Sequence, residues 1–228
     1  MRDHPADHPT VHPADHSAGA ADTAPERTGR TVHLAVYDTM ADWETGHATS
    51  TLAGHGFRVL SVGPGEEPVT TMGGLRVLPD LPLDRLDPAD SALLILPGAG
   101  AWMAGDSLAP FAEAAREFVA AGVPVAAICG ATVGLARAGL LDDRAHTSGA
   151  AEMLTFTGYA GGAHYREADA VTDRGVITAG PTDPEPFARE ILARLDVLEP
   201  EVLEARFRLY AHSDASAYPI LAAAEAAR

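Results

Sequence analysis

A lone cysteine, Cys129, follows the apolar run 123–128 and precedes Gly130-Ala131-Thr132. A strand running into small residues that open a helix has the form of a nucleophile elbow: the tight turn exposes the side chain, and N–H groups at the helix start favour an anion. An ordinary thiol is only about 3% thiolate at neutral pH, and a helix N-terminus lowers its pKa. The spacing therefore predicts a depressed Cys129 with nucleophilic or redox chemistry. The plainer alternative is a buried, inert cysteine. Glu44 is the second candidate, in Tyr37-Asp38-Thr39-Met40-Ala41-Asp42-Trp43-Glu44. It falls just past a first strand, on the first turn of a predicted helix, where a carboxylate either moves protons or only compensates the helix dipole. Pro97-Gly98-Ala99-Gly100 is the third. Small residues there, and Gly130 at the elbow, let backbone N–H groups reach a substrate oxygen. Ala99, Gly100 and Gly130 are thus the candidate oxyanion donors. A simple tight turn would leave the same trace.

Groups so far apart in sequence need a scaffold that gathers them. Val32, Leu34 and Val36 alternate in a β-rich run ending at Tyr37, which predicts a first strand. A helix is expected over 42–53, a second strand over 57–62 and a short strand over 76–78. Ala92-Leu93-Leu94-Ile95-Leu96 and 123–128 are continuously apolar, like strands covered on both faces of a parallel sheet. Between them Ser107 is the expected N-cap of a helix with Pro110 in its first turn. Leu108, Phe111, Ala112, Ala115, Phe118 and Val119 recur at helical spacing, and Gly122 ends it. A small-residue helix over 130–138 and strands near 170–172 and 176–178 follow. Asp183 and Pro184 then start a helix bearing Phe187, Ile191, Leu192 and Leu195 on one face. One or two further helices fill 199–228. Strands alternating with helices predict an α/β fold: a flavodoxin-like, doubly wound, mostly parallel sheet with helices on both faces, a three-layer sandwich with a C-terminal helical extension. In such a sheet functional groups gather beyond the carboxyl ends of the strands, where all three candidates fall.

Composition narrows the chemistry further. The 228 residues carry a net charge of −16, which argues against a phosphate-tracking surface and so against nucleic acid as partner. Every one of the 16 basic residues is arginine, excluding Schiff-base lysine chemistry and a P-loop lysine. One cysteine makes no internal disulfide, no apolar run is long enough for a membrane span, and the N-terminus has no secretory h-region. A cytoplasmic protein without membrane attachment is expected. Residues 1–30 read as a disordered tail rich in His and Pro. Its repeated His-Pro-Ala-Asp-His places His4, His8, His12 and His16 four apart, a spacing that could bind adventitious metal but that the prolines keep from forming a helix. No functional metal site and no cofactor are expected.

The runs Ile95-Leu96-Pro97-Gly98-Ala99-Gly100 and Ala126-Ala127-Ile128-Cys129-Gly130-Ala131 resemble the ThiJ/PfpI family of the class I glutamine amidotransferase-like superfamily. Gly139-Leu140-Leu141-Asp142-Asp143-Arg144-Ala145-His146-Thr147-Ser148 and Ala170-Val171-Thr172-Asp173-Arg174-Gly175-Val176-Ile177-Thr178-Ala179 match later family segments, so that the likeness spans about 31–198. It implies that Glu44 is the acidic residue set against the nucleophilic Cys129. An ionised carboxylate there would raise the thiol pKa, so the pair works if Glu44 keeps a proton and donates a hydrogen bond to the thiolate, acting as the acid/base partner of Cys129. Many members also place a histidine where Ser148 stands here, leaving His146 or His164 as neighbouring candidates for a base. The expected function is a cysteine-dependent hydrolase, hydratase or lyase acting on a small electrophile, the family's substrates including α-oxoaldehydes, isonitriles and amide-like bonds. The alternatives are a redox or stress-response protein using Cys129 oxidation, and a binding or holdase module. Gly130 directly after the cysteine, and the missing histidine, speak against a protease or a true amidotransferase. The resemblance, together with apolar Leu198, Val202, Leu203, Phe207, Leu209 and Tyr210 in the C-terminal helices, predicts a homodimer.

Overall fold

In the computed structural model, which describes residues 30–227, period-two alternation builds the central sheet. Strand β6 (Leu93–Leu96) sends Leu93 and Ile95 into one core and Leu94 and Leu96 into the other. Strand β7 (Val125–Ile128) does the same with Ala126 and Ile128 against Val125 and Ala127. Helices must cover both faces of such strands. Helices α2 (Ala109–Ala120) and α3 (Ala131–Arg137) cover one, bringing Phe111, Phe118 and Leu135. Helices α1 (Gly46–Gly54) and α5 (Pro184–Arg194) cover the other with Leu52, Phe187, Ile191 and Leu192.

With β1 (Thr31–Ala35), β2 (Arg58–Gly63), β5 (Leu81–Pro82), β8 (Ala170–Asp173) and β9 (Val176–Ala179), the sheet has seven strands in the order β5-β2-β1-β6-β7-β9-β8. All neighbours run parallel except the β8–β9 hairpin at one edge. The order reverses between β1 and β6, so the loops leaving these two strands diverge and open a crevice. A separate two-stranded hairpin, β3 (Val69–Thr70) and β4 (Arg76–Val77), contains the short strand expected near 76–78. The remaining helices are α4 (Glu152–Thr155), α6 (Pro200–His212) and α7 (Tyr218–Ala226). Helix α6 is tied to α5 and α1 by Arg206, whose guanidinium donates to Glu185 Oε2 at 2.9 Å, Thr51 Oγ1 at 3.1 Å and the His47 carbonyl at 3.3 Å.

Two helix starts differ from the sequence reading. The helix expected from Asp42 begins at Gly46, because Ala41 N–H and the Glu44 carboxylate first reach across to Gly98 and hold 41–44 as a turn. Helix α2 begins at Ala109 with Leu108, not Ser107, at its N-cap. Leu108 turns into the core, and Ala109 N–H closes a turn onto Asp106 O. The tail and its four histidines lie outside the described residues. Among the described residues no helix is long and apolar enough to cross a membrane, and no cluster of His, Cys, Asp or Glu could hold a metal ion.

Candidate active site

Cys129 links β7 to α3 with φ +57, a left-handed conformation that costs energy for any residue but glycine. The surroundings hold it there. Its N–H donates to Ala179 O on β9 at 3.0 Å, and its carbonyl accepts from Thr132 N–H at 3.1 Å and Thr132 Oγ1 at 2.6 Å. Cys129 is left half-buried, its thiol against Gly98.

Gly98, leaving β6, is where the site converges. Its N–H donates to Glu44 Oε2 at 2.6 Å, and its carbonyl accepts from Ala41 N–H at 2.8 Å. A methyl carbon placed on Gly98 would lie 2.7 Å from Cys129 Cβ, 2.9 Å from Cys129 Sγ and 2.9 Å from Glu44 Oε1. Only the bare α-carbon lets thiol and carboxyl both close on this face of Gly98. The stretch expected as an oxyanion turn commits its Gly98 N–H to Glu44, a bond with no local trace in the sequence. Of the expected oxyanion donors, Gly130 directs its N–H at the Cys129 sulfur. Ala99 is extended and buried, and Gly100, itself exposed, opens the 3-10 turn Gly100–Trp102, which ends on the buried Trp102.

The electrostatics of the pair follow from burial. Glu44 is only 1% exposed, and burial raises its pKa against the opposing Gly98 hydrogen bond and the thiol. Burial and the Glu44 charge also push the Cys129 thiol up to about 11; Gly130 N–H pulls the other way and loses. This reverses the depressed thiol expected from the helix start. Glu44 Oε1 faces the thiol off-line: it has no hydrogen-bond partner of regular geometry, yet each group shifts the other's proton affinity. The two titrate as one coupled unit.

The histidines lie apart from this pair in their bonding. His146 is buried, with Nδ1 2.8 Å from Arg144 O, Nε2 3.3 Å from Tyr159 Oη, and its backbone N–H on His164 O at 3.3 Å. Burial lowers its pKa, His164 and Arg166 adding to the effect against Arg144 O and Asp142. Ser148 is the residue that reaches the elbow: its Oγ is 2.7 Å from Thr132 Oγ1, which holds the Cys129 carbonyl. A cavity of about 860 Å³ lies between α1 and the C-terminal helices, lined by Trp43, His47, Val202, Arg206, Tyr210 and Leu221 among others, with neither Cys129 nor Glu44 in its wall.

Comparison with known proteins bears on the family and the fold. The family model for the DJ-1/PfpI family matches residues 30–194. The chain is similar to a Bacillus subtilis protein named uncharacterized protease YoaZ, 37% identical over 79% of this chain and 90% of the relative. Among solved structures it is similar to a ThiJ/PfpI family protein from Bacillus anthracis (TM-score 0.79, 35% identity, 83% of this chain and 93% of that one). It is also similar to a DJ-1 superfamily protein from Agrobacterium tumefaciens (TM-score 0.74, 35% identity, 80% and 98%).

Proposed function

The chain belongs to the DJ-1/PfpI family, and from that premise we propose that it is a cysteine-dependent enzyme acting on a small electrophile, with Cys129 as nucleophile and Glu44 as acid/base partner. The observation that carries this reading is the approach of Cys129 Sγ and Glu44 Oε1 to the same bare face of Gly98. A thiol pushed up to about 11 is mostly protonated at neutral pH, so it needs a base at the moment of attack. Glu44, once ionised, is that base, and burial makes its carboxylate more basic than an exposed one. As Sγ bonds to the electrophilic carbon, its proton passes to Glu44. The carboxylic acid then returns that proton to the leaving group or to the oxygen or carbon made anionic by the attack. The N–H groups of Ala99, Gly100 and Gly130 are assigned to the developing oxyanion.

In a lyase the C–S bond then breaks again to free Cys129; in a hydrolase or hydratase water, losing its proton to Glu44, attacks the sulfur-bound carbon and expels the Cys129 thiolate, which takes that proton back. The word protease in the name of the Bacillus subtilis relative favours testing amide hydrolysis beside small electrophiles. The base is assigned to Glu44 rather than to His146, whose ring nitrogens already face Arg144 O and Tyr159 Oη, or to the neighbouring His164. A reducing, cytoplasmic setting suits an enzyme whose one cysteine must stay a thiol. A homodimer is proposed as its assembly.

The test is turnover of a panel of α-oxoaldehydes, isonitriles and amides by the wild type and by Cys129→Ala. Loss of turnover by about a thousandfold or more with the fold kept is the expected result for a nucleophile. Peroxide sensitivity without turnover would move Cys129 to a redox role, and indifference to its loss would leave a binding or holdase module.

A further inference from the structure

We propose that Tyr37 and Trp102 are positioning residues for Glu44, acting through the single peptide unit that joins Pro97 to Gly98. The inference rests on the reading that Glu44 moves the proton of Cys129.

A peptide is planar, so fixing its oxygen fixes the direction of its N–H. Here the oxygen end is Pro97 O and the hydrogen end is Gly98 N–H. The Tyr37 hydroxyl donates to Pro97 O. Trp102 Nε1 donates to the same oxygen at 3.1 Å and to the Tyr37 oxygen at 3.0 Å. At the other end Gly98 N–H holds Glu44 Oε2 at 2.6 Å. The chain Trp102 to Tyr37 to Pro97–Gly98 to Glu44 therefore runs through one conjugated amide. Donation to its oxygen polarises it and strengthens its N–H as a donor, the cooperativity expected of hydrogen bonds in series.

Satisfying the polar tips of a buried tyrosine and tryptophan needs only some carbonyl. What sets this one apart is that its own peptide N–H makes the hydrogen bond that fixes Glu44, whose second oxygen has no partner of regular geometry. Both rings are 2% exposed and rigidly seated. They meet edge to face at 5.9 Å, and Tyr37 packs on Phe111 at 5.2 Å. Trp102 occupies a slot in the elbow helix that exists because position 134 is glycine: a methyl carbon there would collide with the indole. The titratable groups that bear on the Glu44 carboxyl are the Cys129 thiol from the β7–α3 turn and the Tyr37 phenol two residues past β1, neither of them a cation. The polarised amide is thus the main support of the carboxylate.

The experiment is a carbon-13 titration of the Glu44 side-chain carboxyl, its resonance identified by its loss in Glu44→Gln. It is run in Cys129→Ala protein, so its result does not depend on whether Cys129 turns over a substrate. Tyr37→Phe removes one donor to Pro97 O, weakens Gly98 N–H and is expected to raise the Glu44 midpoint by roughly half a pH unit. Trp102→Phe leaves the Tyr37 donor in place and is expected to move it less, in the same direction. Should Tyr37→Phe fail to fold, Trp102→Phe carries the test. A Glu44 midpoint unmoved in the folded variants would overturn the proposal while leaving the assignment of Cys129 standing.

Discussion

Glu44 is costly where it sits, and that cost reads on its role. Its pKa is raised in the folded chain, so the folded protein binds its proton more tightly than the unfolded chain does. The stability this contributes is fully present below the ordinary carboxyl pKa and is lost as pH rises through the raised value. Above it the fold bears a buried carboxylate whose Oε1 has no regular hydrogen bond. Glu44→Gln keeps an oxygen for Gly98 N–H and removes the charge. It is therefore expected to melt higher than wild type at neutral pH, with the advantage vanishing in acid, as calorimetry at a series of pH values would show. The same change removes the charge that raises the thiol, so the midpoint of Cys129 alkylation by iodoacetamide should fall from near 11. Turnover should nevertheless drop about a hundred- to ten-thousandfold, since the amide cannot take up the proton. A more stable, more readily alkylated and inactive variant is the signature of a residue retained for proton transfer. If activity survives intact, Glu44 only positions the thiol.

Among the elements, α6 is fastened by charge more than by apolar packing. Ala205 and Arg206 are its only buried residues, and Arg206 meets Glu185 of α5 and the Thr51 and His47 region of α1. Glu185 is also paired with His47 Nδ1, and its side chain is buried, 8% exposed. Arg206→Ala would leave that carboxylate buried without its guanidinium, at an expected cost of about 3–5 kcal/mol in urea unfolding. A cost below 1 kcal/mol would mean that His47 or water compensates Glu185. None of this network was legible in the sequence, where 199–228 reads only as apolar helix. The contrast with β6 and β7 is instructive. Their continuous apolar runs announce strands covered on both faces, because burial there is set by the local pattern. The elbow at Cys129 was legible for the same reason: a strand, a sharp turn and small residues stand together in sequence. Tyr37, Trp102 and the Gly98 N–H were not, because their hydrogen bonds join positions 60, 65 and 54 residues apart. The start of α1 was misplaced by one of these same bonds, from Gly98 to Glu44, which has no local trace.

At the scale of the whole molecule the open question is what covers the C-terminal face. Helix α6 does fold back over its own subunit, as the Arg206 contacts require. Helix α7 does not follow it into a core: none of its nine residues is buried, and Tyr218 is 63% exposed. Beside it runs the cavity whose wall includes the apolar side chains of Trp43, Val202, Tyr210 and Leu221. A stable dimer buries about 800 Å² on each partner, more than one nine-residue helix offers, so a second copy would have to engage α7 and this groove together. A two-fold axis there would let each subunit cover the other's exposed helix with the same patch. Light scattering at micromolar concentration is expected to return twice the 23.7 kDa of the chain. Tyr218→Glu, placing a charge on the exposed first turn of α7 and touching nothing at Cys129, is expected to bring the mass down to one chain without lowering the melting temperature of the subunit. A wild-type mass of one chain would refute the dimer. A dimer that survives Tyr218→Glu would move the interface to the β3–β4 hairpin, where Met72, Leu75 and Leu78 stand 53%, 62% and 67% exposed. That hairpin also holds the loop ahead of Glu44, through Thr39 N–H on Thr70 O and Met72 N–H on Met40 O. Assembly through it would then be expected to change turnover as well as mass, whereas assembly through α7 would change mass alone.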